Sequence, residues 1–376
     1  RIMRLYQEKA SCCGCGACAD ACPTGSIQMG PDSEGFRYPS VAASTCIHCG
    51  RCESVCPLKT EMTAPRENLF FGARSDTLRS GSSSGGIFSV LADYVLQRQG
   101  AVFGAAFNES MEAVHREAGN CAELEGLRRT KYVQSRLDGV YTRIQSLLRE
   151  ERWVLFCGTP CQTHALKLFL GRPYPTLILA DLICYGVPSP GIWKRYAQAL
   201  ERRHGGKLTA FSFRDKRKQD NGHTCAYIVD GQEYASELSR NPFCRLFFAN
   251  LIIRPSCHKC RYCTPDRESD FTLGDFWGME KIRPDLNDGM GTSLVILHTD
   301  KASEVWEQVR DKVVWFSCEK EDALQPRLES PTPAARTRGV FMLSFRILPF
   351  SIATALFIWA QSAAGLCRRL FRRIKA

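Results

Sequence analysis

Two cysteine runs near the start of the chain constrain its fold more than any other feature. The first is Cys12-x2-Cys15-x2-Cys18-x3-Cys22-Pro23 and the second is Cys46-x2-Cys49-x2-Cys52-x3-Cys56-Pro57, so each cysteine recurs 34 positions later (46 − 12 for the first pair). The glycines at positions 14, 16 and 50 supply the backbone freedom that such tight loops need. Zinc sites usually have separated cysteine pairs or Cys/His mixtures, and a disulfide knot would need an oxidising compartment. We therefore expect these thiolates to hold iron–sulfur cubes.

The doubled spacing is that of bacterial two-cluster ferredoxins, in which the fourth cysteine of each run ligates the other cluster. This pattern assigns one 4Fe-4S cluster to Cys12, Cys15, Cys18 and Cys56, and a second to Cys46, Cys49, Cys52 and Cys22. Cys13 is left over, and we expect it to pack as a small apolar residue. Residues 1–60 are thus predicted to form a ferredoxin-like domain with two clusters.

Composition and charge narrow the class of protein. The chain has 376 residues, enough for two or three cored domains, and its 20 cysteines cluster at metal-ligand spacings. The net charge of +11 can indicate that the protein binds a nucleic acid, an anionic membrane or an acidic partner. We find no nucleic-acid motif and no interleaving of aromatic and basic residues, so we expect no nucleic acid partner. No apolar signal-peptide run follows the first residues, which favours a cytoplasmic protein.

Strand and helix patterns alternate between about residues 101 and 204, which predicts an α/β core with a largely parallel or mixed sheet. Ligands of such sheets collect at the carboxyl ends of strands, and Cys161 and Cys184 each follow a predicted strand. The predicted fold class is therefore α+β or α/β. A ferredoxin module comes first, a predicted linker covers 61–70 at the start of a mixed-sheet domain over 61–338, and an apolar and basic helix spans 339–376.

A loop of small residues precedes the apolar-periodic run 87–96. It reads Arg79-Ser80-Gly81-Ser82-Ser83-Ser84-Gly85-Gly86. Amides and hydroxyls at a helix N-terminus suit a phosphate or pyrophosphate. The same residues also suit a flexible linker or a serine cap on an ordinary helix, and the spacing does not choose between these interpretations.

Further cysteines indicate a third metal site. Cys257-x2-Cys260-x2-Cys263 repeats the earlier spacing without a fourth ligand nearby, while Cys161 and Cys184 stand at strand ends. These cysteines could supply the ligands of another 4Fe-4S cluster. A zinc-ribbon fragment or plain buried cysteines are the alternatives, and spacing alone does not select the ligands.

Several short motifs in a fixed order resemble the coenzyme F420 hydrogenase/dehydrogenase beta-subunit family. The matching segments are Ser83-Ser84-Gly85-Gly86, Lys131-Tyr132-Val133-Gln134-Ser135, Gly158-Thr159-Pro160-Cys161-Gln162, Asp181-Leu182-Ile183-Cys184-Tyr185-Gly186-Val187-Pro188-Ser189-Pro190, Phe213-Arg214-Asp215-Lys216 and Thr272-Leu273-Gly274-Asp275-Phe276-Trp277-Gly278. With the cysteine runs they cover residues 12 to about 318. Relatives often have His where this chain has Tyr185, which leaves a proton-transfer role there in question.

The resemblance implies an iron–sulfur flavoprotein that binds FAD. It also implies that Cys161, Cys184, Cys257 and Cys260 are the ligands of the third cluster, with Cys263 a spare or an alternative. The implied FAD contacts are Ser83, Ser84, Gly85, Gly86, Lys131, Tyr132, Gln134, Ser135, Gly158, Thr159 and Pro160.

Two functions are compatible with these parts. The first is an FAD- and 4Fe-4S-dependent oxidoreductase that passes electrons between a ferredoxin-type donor, its clusters, FAD and a two-electron acceptor, either a deazaflavin or an unknown small or lipid-linked substrate. Lys131 and Asp275 are the candidates for the catalytic proton donor. The second is an electron-transfer subunit of a larger redox complex, with no substrate of its own. A ferredoxin or another oxidoreductase subunit is the expected partner in both.

The end of the chain suggests membrane contact. Residues 347–367 carry no charge, and Arg368, Arg369, Arg372, Arg373 and Lys375 follow them. The length would just span a bilayer, yet the stretch contains Pro349, Gln361 and several hydroxyl residues. An interfacial amphipathic helix at the inner face of the cell membrane, a true span and a helix packed on the protein all stay open.

Overall fold

The structure is a computed structural model that describes residues 2–62, 67–217 and 222–359. Its strands are β1 (Ile2–Arg4), β2 (Ile27–Pro31), β3 (Arg37–Ala42), β4 (Leu69–Arg74), β5 (Ala101–Phe107), β6 (Ala113–Ala118), β7 (Val154–Gly158), β8 (Leu177–Leu182), β9 (Leu208–Asp215), β10 (Thr224–Val229), β11 (Gln232–Glu237), β12 (Phe271–Asp275), β13 (Ser293–Leu297) and β14 (Val314–Cys318). Its α-helices are α1 (Ala17–Asp20), α2 (Arg51–Ser54), α3 (Ile87–Leu96), α4 (Cys121–Leu124), α5 (Val140–Arg149), α6 (Pro160–Leu170), α7 (Pro190–His204), α8 (Pro242–Phe248), α9 (Met279–Ile282), α10 (Asp300–Val309), α11 (Lys320–Ala323), α12 (Pro326–Glu329) and α13 (Arg338–Ile347).

The largest sheet has the strand order β14-β4-β13-β12-β8-β7-β5-β6. Its centre, β12-β8-β7-β5, is parallel, while β13 and β6 pair antiparallel to the two ends of that group. The expected mixed sheet is confirmed. Because the parallel strands end on one side, the residues after β7, β8 and β12 share one edge, which we call the carboxyl edge. The antiparallel strand β13 begins at this edge and β4 ends there.

Apolar side chains at helical spacing cover both faces of this sheet. Helix α3 buries Ile87, Val90, Leu91 and Tyr94, and together with α10 it packs on one face. Helices α5 and α6 bury their apolar stripes on the other face, where Tyr141 and Phe156 lie in one cluster. The sheet is therefore a fixed platform for the loops at its carboxyl edge.

Two smaller antiparallel sheets flank this platform. One, β11-β10-β9, shares a core with α7 and α8. The other, β1-β3-β2, belongs to the N-terminal cysteine module, and its Phe36 and Tyr38 are buried in the same core as Trp193 of α7. The module is thus packed against the α/β part of the chain.

Two segments differ from the sequence prediction. Strand β4 begins at Leu69, inside the stretch predicted to be a linker, because Phe70, Gly72 and Ala73 pair with β13 and β14. The C-terminal segment is broken rather than continuous: α13 ends at Ile347, and residues 350–359 form another helix after Pro349. None of the helices in the described ranges has the length and apolarity needed to cross a bilayer. The basic tail after residue 367 lies outside those ranges.

Candidate iron–sulfur and cofactor site

The two cysteine runs adopt the same local conformation. Gly16 and Gly50, equivalent in the repeat, have φ values of 82° and 73° and precede the one-turn helices α1 and α2. Gly14 (φ 70°) and its counterpart His48 (φ 55°) are also left-handed. Glycine occupies three of these four left-handed positions, as the sequence analysis expected. The fourth holds a histidine with a strained backbone, which the sequence pattern did not predict.

The first predicted ligand set lies together although its members come from both runs. Burial raises the pKa of Cys18 to about 12, and the thiols of Cys12 and Cys56 act in the same direction. Burial also raises the pKa of Cys12, with Cys56 again among its neighbours. Cys15 is buried and adjoins Cys18. The fold therefore carries Cys56 of the second run to the three cysteines of the first.

The second predicted set is nearer the surface. Cys49 is exposed, and Cys46, Cys52 and Cys22 are partly exposed. Burial raises the pKa of Cys22, but hydrogen bonds from the Thr24 hydroxyl and from amides up to Ile27 outweigh it, so the pKa is lowered. Cys18 and Cys52 influence each other electrostatically, which places the two sets side by side. We call them the inner set (Cys12, Cys15, Cys18, Cys56) and the outer set (Cys22, Cys46, Cys49, Cys52).

The remaining predicted ligands converge on one cavity at the carboxyl edge. Its thiol-bearing lining residues are Cys13, Cys161, Cys184, Cys257, Cys260 and Cys263. Burial is the main cause of the strongly raised pKa of Cys184, followed by the thiols of Cys257, Cys161 and Cys260. Cys257 likewise interacts with Cys161 and Cys260. The four cysteines that the resemblance selected are therefore mutual neighbours, although they lie up to about 100 residues apart (260 − 161).

Three separate elements deliver these thiols. Cys161 stands in the first turn of α6, where Thr159 caps the helix and the Gln162 side chain accepts from the Thr159 amide at 2.9 Å. Cys184 follows β8, and Cys257 lies in a short 3-10 helix, Pro255–Lys259. In the described ranges no cysteine forms a disulfide, and no three His, Cys, Asp or Glu residues surround a single ion position. A set of donors made only of thiolates is the kind that iron–sulfur clusters use.

Cys13 lies between the inner set and this cavity. It is buried in an apolar cluster, as expected, but hydrogen bonding to the Cys15 thiol raises its pKa well above the ordinary value, and the Cys161 thiol acts in the opposite direction. Its carbonyl accepts from Gln134 Nε2 at 2.8 Å. The expectation of simple apolar packing was therefore incomplete, because the thiol also contacts members of two ligand sets.

The predicted phosphate loop lies at the same edge and is tied down by protein partners. The Ser83 hydroxyl accepts from the Thr130 amide at 2.7 Å, and the Gly85 amide donates to Ser293 Oγ at 2.9 Å. A Cβ on Gly85 would stand 2.4 Å from the Ala73 carbonyl, so only glycine fits there. Gly86, with φ 90°, starts α3 without a side-chain cap. The loop is therefore an ordered turn over β4 and β13, not a flexible linker.

Charged side chains from a second sheet face this loop. Lys216 Nζ donates to the Ser84 carbonyl at 2.7 Å, and burial, with Arg214 adding to it, lowers the Lys216 pKa to about 8. Arg214 pairs with Asp275 at the end of β12 and donates to the Tyr132 phenol. The other carboxylate oxygen of Asp275, Oδ1, is buried with no hydrogen-bond partner among the described residues. The cationic side chains of Arg214 and Lys216 and the unpaired acceptor oxygen of Asp275 thus lie beside the small-residue loop.

The side-chain ammonium group of Lys131 is held by backbone carbonyls of its own loop. Its Nζ donates to the carbonyls of Gly126, Arg128 and Arg129 at 2.8, 2.6 and 3.1 Å. Burial lowers its pKa to about 7. Since three carbonyls occupy its three N–H groups, Lys131 holds the 126–131 loop, in which Arg129 has a φ of 66°. Asp275, in contrast, has one carboxylate oxygen without a hydrogen-bond partner among the described residues.

The implied flavin contacts fall into two groups. The first group is Ser83, Ser84, Gly85, Gly86 and Tyr132, of which Ser84, Gly85 and Tyr132 contact Lys216, Ser293 or Arg214. Gln134, Thr159 and Pro160 line the cysteine cavity instead, and Ser135 accepts from Gln162 Nε2 at 3.1 Å. Gly158 ends β7, directly before Thr159 of the second group.

Sequence reasoning missed two further features of the site. Arg214 and Lys216 were quoted as motif residues without a role, although two cations in one short motif were a signal for an anionic ligand. Arg254, three positions before Cys257, is fully buried and contacts the inner set. Nothing in its local sequence marked it, because its partners lie more than 100 residues away.

Two family models match parts of the chain. Residues 151–321 match the family model for the C terminus of the coenzyme F420 hydrogenase/dehydrogenase beta subunit, and residues 11–60 match a 4Fe-4S dicluster domain. No curated protein sequence gives a significant match. Among solved structures, an F420-reducing NiFe hydrogenase complex from Methanosarcina barkeri is similar at 16% identity and a TM-score of 0.42, over 75% of this chain and 89% of that chain.

Proposed function

Because residues 151–321 match the model for the C terminus of the coenzyme F420 hydrogenase/dehydrogenase beta subunit and residues 11–60 match a 4Fe-4S dicluster domain, we propose that the chain is an iron–sulfur flavoprotein oxidoreductase. The observation that supports this most is the convergence of Cys161, Cys184, Cys257 and Cys260 on one cavity beside the inner set. Two 4Fe-4S clusters would be held by the inner and outer sets, and a third by these four cysteines. Bound clusters and FAD would together supply conversion between one-electron and two-electron transfer.

The proposed FAD site is the small-residue loop at the carboxyl edge. Arg214, Lys216 and the start of α3 offer positive charge to a pyrophosphate, as a helix N-terminus commonly does. The unmet Oδ1 of Asp275 could accept a hydrogen bond from a bound ring N–H or hydroxyl. The two-electron acceptor would be a deazaflavin or another small or lipid-linked molecule.

A second candidate function has its own supporting observation. Ile47, between the outer-set cysteines Cys46 and Cys49, is 63% exposed, although it is a large apolar side chain. An exposed apolar residue beside a redox centre suits contact with a protein partner. The chain would then be the electron-transfer subunit of a larger redox complex, with a ferredoxin or another oxidoreductase subunit docking at the outer set.

Contact with a membrane is a further part of the proposal. Val340, Leu343 and Ile347 lie exposed on one side of α13, and Ile352, Leu356 and Trp359 are exposed in the helix that follows. In the sequence, five basic residues follow residue 367. Exposed apolar side chains next to cations suit the interface of an anionic membrane.

The cofactor content of anaerobically purified protein tests the main proposal. We expect about twelve irons with matching acid-labile sulfide and about one FAD per chain, as three 4Fe-4S clusters and a flavin require. Cys161→Ala should lose about four of those irons, whereas Cys121→Ala, at an exposed thiol outside every set, should lose none. About eight irons without flavin would instead favour the electron-transfer subunit.

A further inference from the structure

Arg254 is a buried cation without a carboxylate partner. Its residue surface is 0% exposed, and the ion pairs found within residues 2–62, 67–217 and 222–359 include none to Arg254. Removing a guanidinium from water is costly unless an opposite charge compensates it. The negative charge that would compensate Arg254 must therefore come from something other than Asp or Glu of the described residues.

The hydrogen bonds of Arg254 converge on the inner set. Nε donates to the Cys12 carbonyl at 2.8 Å, and Nη2 approaches Cys12 Sγ at 3.6 Å. Nη1 donates to Gln134 Oε1 at 3.0 Å, and Nη2 also donates to the Arg37 carbonyl at 3.1 Å. The acceptors are neutral oxygens, apart from one ligand sulfur. That sulfur is a hydrogen-bonded candidate for the missing negative charge.

Close packing holds the guanidinium in this place. It lies over the Tyr38 ring, 4.2 Å from the centroid. On another side it meets Gly14, where an added Cβ would be 2.7 Å from Nη1. The side chain therefore has little freedom to turn away from Cys12.

The backbone of Arg254 belongs to the other ligand group. Its carbonyl accepts from the Cys257 amide at 3.0 Å, at the start of the 3-10 helix that carries Cys257. Burial lowers the pKa of the guanidinium, but the thiols of Cys12, Cys13 and Cys257 and the Tyr38 phenol outweigh it, so the pKa is raised. One cation thus interacts with thiols of the inner set and of the carboxyl-edge cavity.

We propose that Arg254 is a counter-ion shared by the clusters of the inner set and of the carboxyl-edge cavity, and that it raises their reduction potentials. A cluster with four thiolates is negatively charged and gains one further negative charge on reduction, so a nearby cation stabilises the reduced form more than the oxidised form. A hydrogen bond to a ligand sulfur acts in the same direction. This inference rests on the proposed cluster content of the chain. It makes Arg254 a positioning and tuning residue, not a catalytic one.

A consequence follows for the direction of electron transfer. Within the described part of the chain, the hydrogen bonds of Arg254 reach Cys12 of the inner set and no cysteine of the outer set. Arg254 would therefore raise the reduction potential of the inner-set cluster relative to that of the more exposed outer-set cluster, so that an electron is more stable at the inner set. An electron delivered at the surface would be held further inside the protein.

Redox titration of the anaerobic full-length holoprotein, followed by EPR, tests the proposal. In Arg254→Gln, with iron content unchanged, we expect one or two of the reduction steps to move to lower potential by at least about 59 mV. For a one-electron step, this shift corresponds to a tenfold change in the ratio of reduced to oxidised cluster. Arg254→Lys retains the charge. At a given applied potential, its ratio of reduced to oxidised cluster should therefore stay within a few-fold of the wild-type ratio. Arg310→Gln is the control, because it makes the same change in net charge at an exposed ion pair with Glu307.

The outcomes separate this inference from the proposed function. Unchanged potentials in Arg254→Gln with full iron content would overturn the tuning role and leave the cluster assignment standing. Absence of iron from the wild-type protein would overturn both. If Arg254→Gln fails to assemble, Arg254→Lys decides: near-wild-type potentials support a role for the charge, and loss of iron there as well shows that only the shape of the arginine matters, which overturns the proposal.

Discussion

At the scale of single residues, Asp181 connects the elements that carry the cysteines of the carboxyl-edge cavity. It is fully buried at the end of β8, three positions before Cys184. It accepts hydrogen bonds from Thr272 Oγ1 at 2.6 Å and Ser269 Oγ at 2.9 Å, and Arg267 Nη1 lies 3.5 Å away. Asp181 thus joins the strand that leads to Cys184 with the segment that follows Cys260 and Cys263.

Replacement of Asp181 by alanine should destabilise the protein and remove the proposed third cluster. Arg267 would be left as an unpaired buried charge, which typically costs about 3 to 5 kcal/mol. We expect a lower denaturant midpoint and a loss of about four irons per chain, both measured anaerobically. Asp285→Ala is the matched control, since its pair with Arg283 is exposed. Equal stability of the two variants would show that the Asp181 network does not support the site.

At the scale of elements, the duplicated cysteine run has two unlike copies. The loop of the first copy is buried against Arg254 and Gln134, which lie within 3 Å of a Cβ built on Gly14. The equivalent residue of the second copy, His48, is exposed, as is the neighbouring Ile47. The same local fold therefore serves an inward-facing loop and an outward-facing one.

Ile47 should matter for electron transfer from a protein donor. Ile47→Ser removes the apolar contact, and we expect the second-order rate of reduction by a reduced bacterial-type ferredoxin to fall about tenfold, which corresponds to roughly 1.4 kcal/mol. Stopped-flow absorbance would give this rate. Reduction by dithionite, a small reagent, should not change. Leu69→Ser, at another partly exposed apolar residue, is the control, and an equal loss in both variants would argue against docking at the outer set.

At the scale of the whole molecule, the C-terminal segment joins the cysteine module to the rest of the chain. Phe341, Met342 and Phe345 of α13 are buried in the core shared with Tyr38 and Trp193. Arg338 Nη2 also pairs with Glu34 Oε2 of the module at 2.6 Å, and both side chains are largely buried. Removing the whole segment would therefore open a core, so membrane contact must be tested by surface substitutions.

Binding to anionic vesicles should depend on the exposed side of this segment. We expect the full-length protein to float with phosphatidylcholine–phosphatidylglycerol vesicles and not with phosphatidylcholine alone. The combined variant Leu343→Ser, Ile347→Ser and Trp359→Ser should bind at least tenfold more weakly, because it removes three of the exposed apolar side chains. Its iron content should stay at the wild-type level. Unchanged flotation would contradict the membrane proposal.

Local patterns carried much of the architecture. Helix α3 has the predicted bounds, 87–96, because its apolar periodicity and the glycines before it act within a few residues. The position of Cys161 and Cys184 at strand ends was readable for the same reason. Strand β4 was missed, since its partners β13 and β14 lie more than 200 residues away in the sequence.

What the sequence alone determined is the chemistry of the site: the doubled cysteine spacing, which reflects the local geometry of a loop around a cluster, and the order of the family motifs. Tertiary structure alone decided how the sets meet. Cys56 joins Cys12 and Cys18, four distant cysteines line one cavity, and Arg254 reaches Cys12 across 242 positions. The reason is physical: ligand spacing depends on short-range backbone sterics, whereas burial of a cation beside thiols depends on packing between elements far apart in the chain.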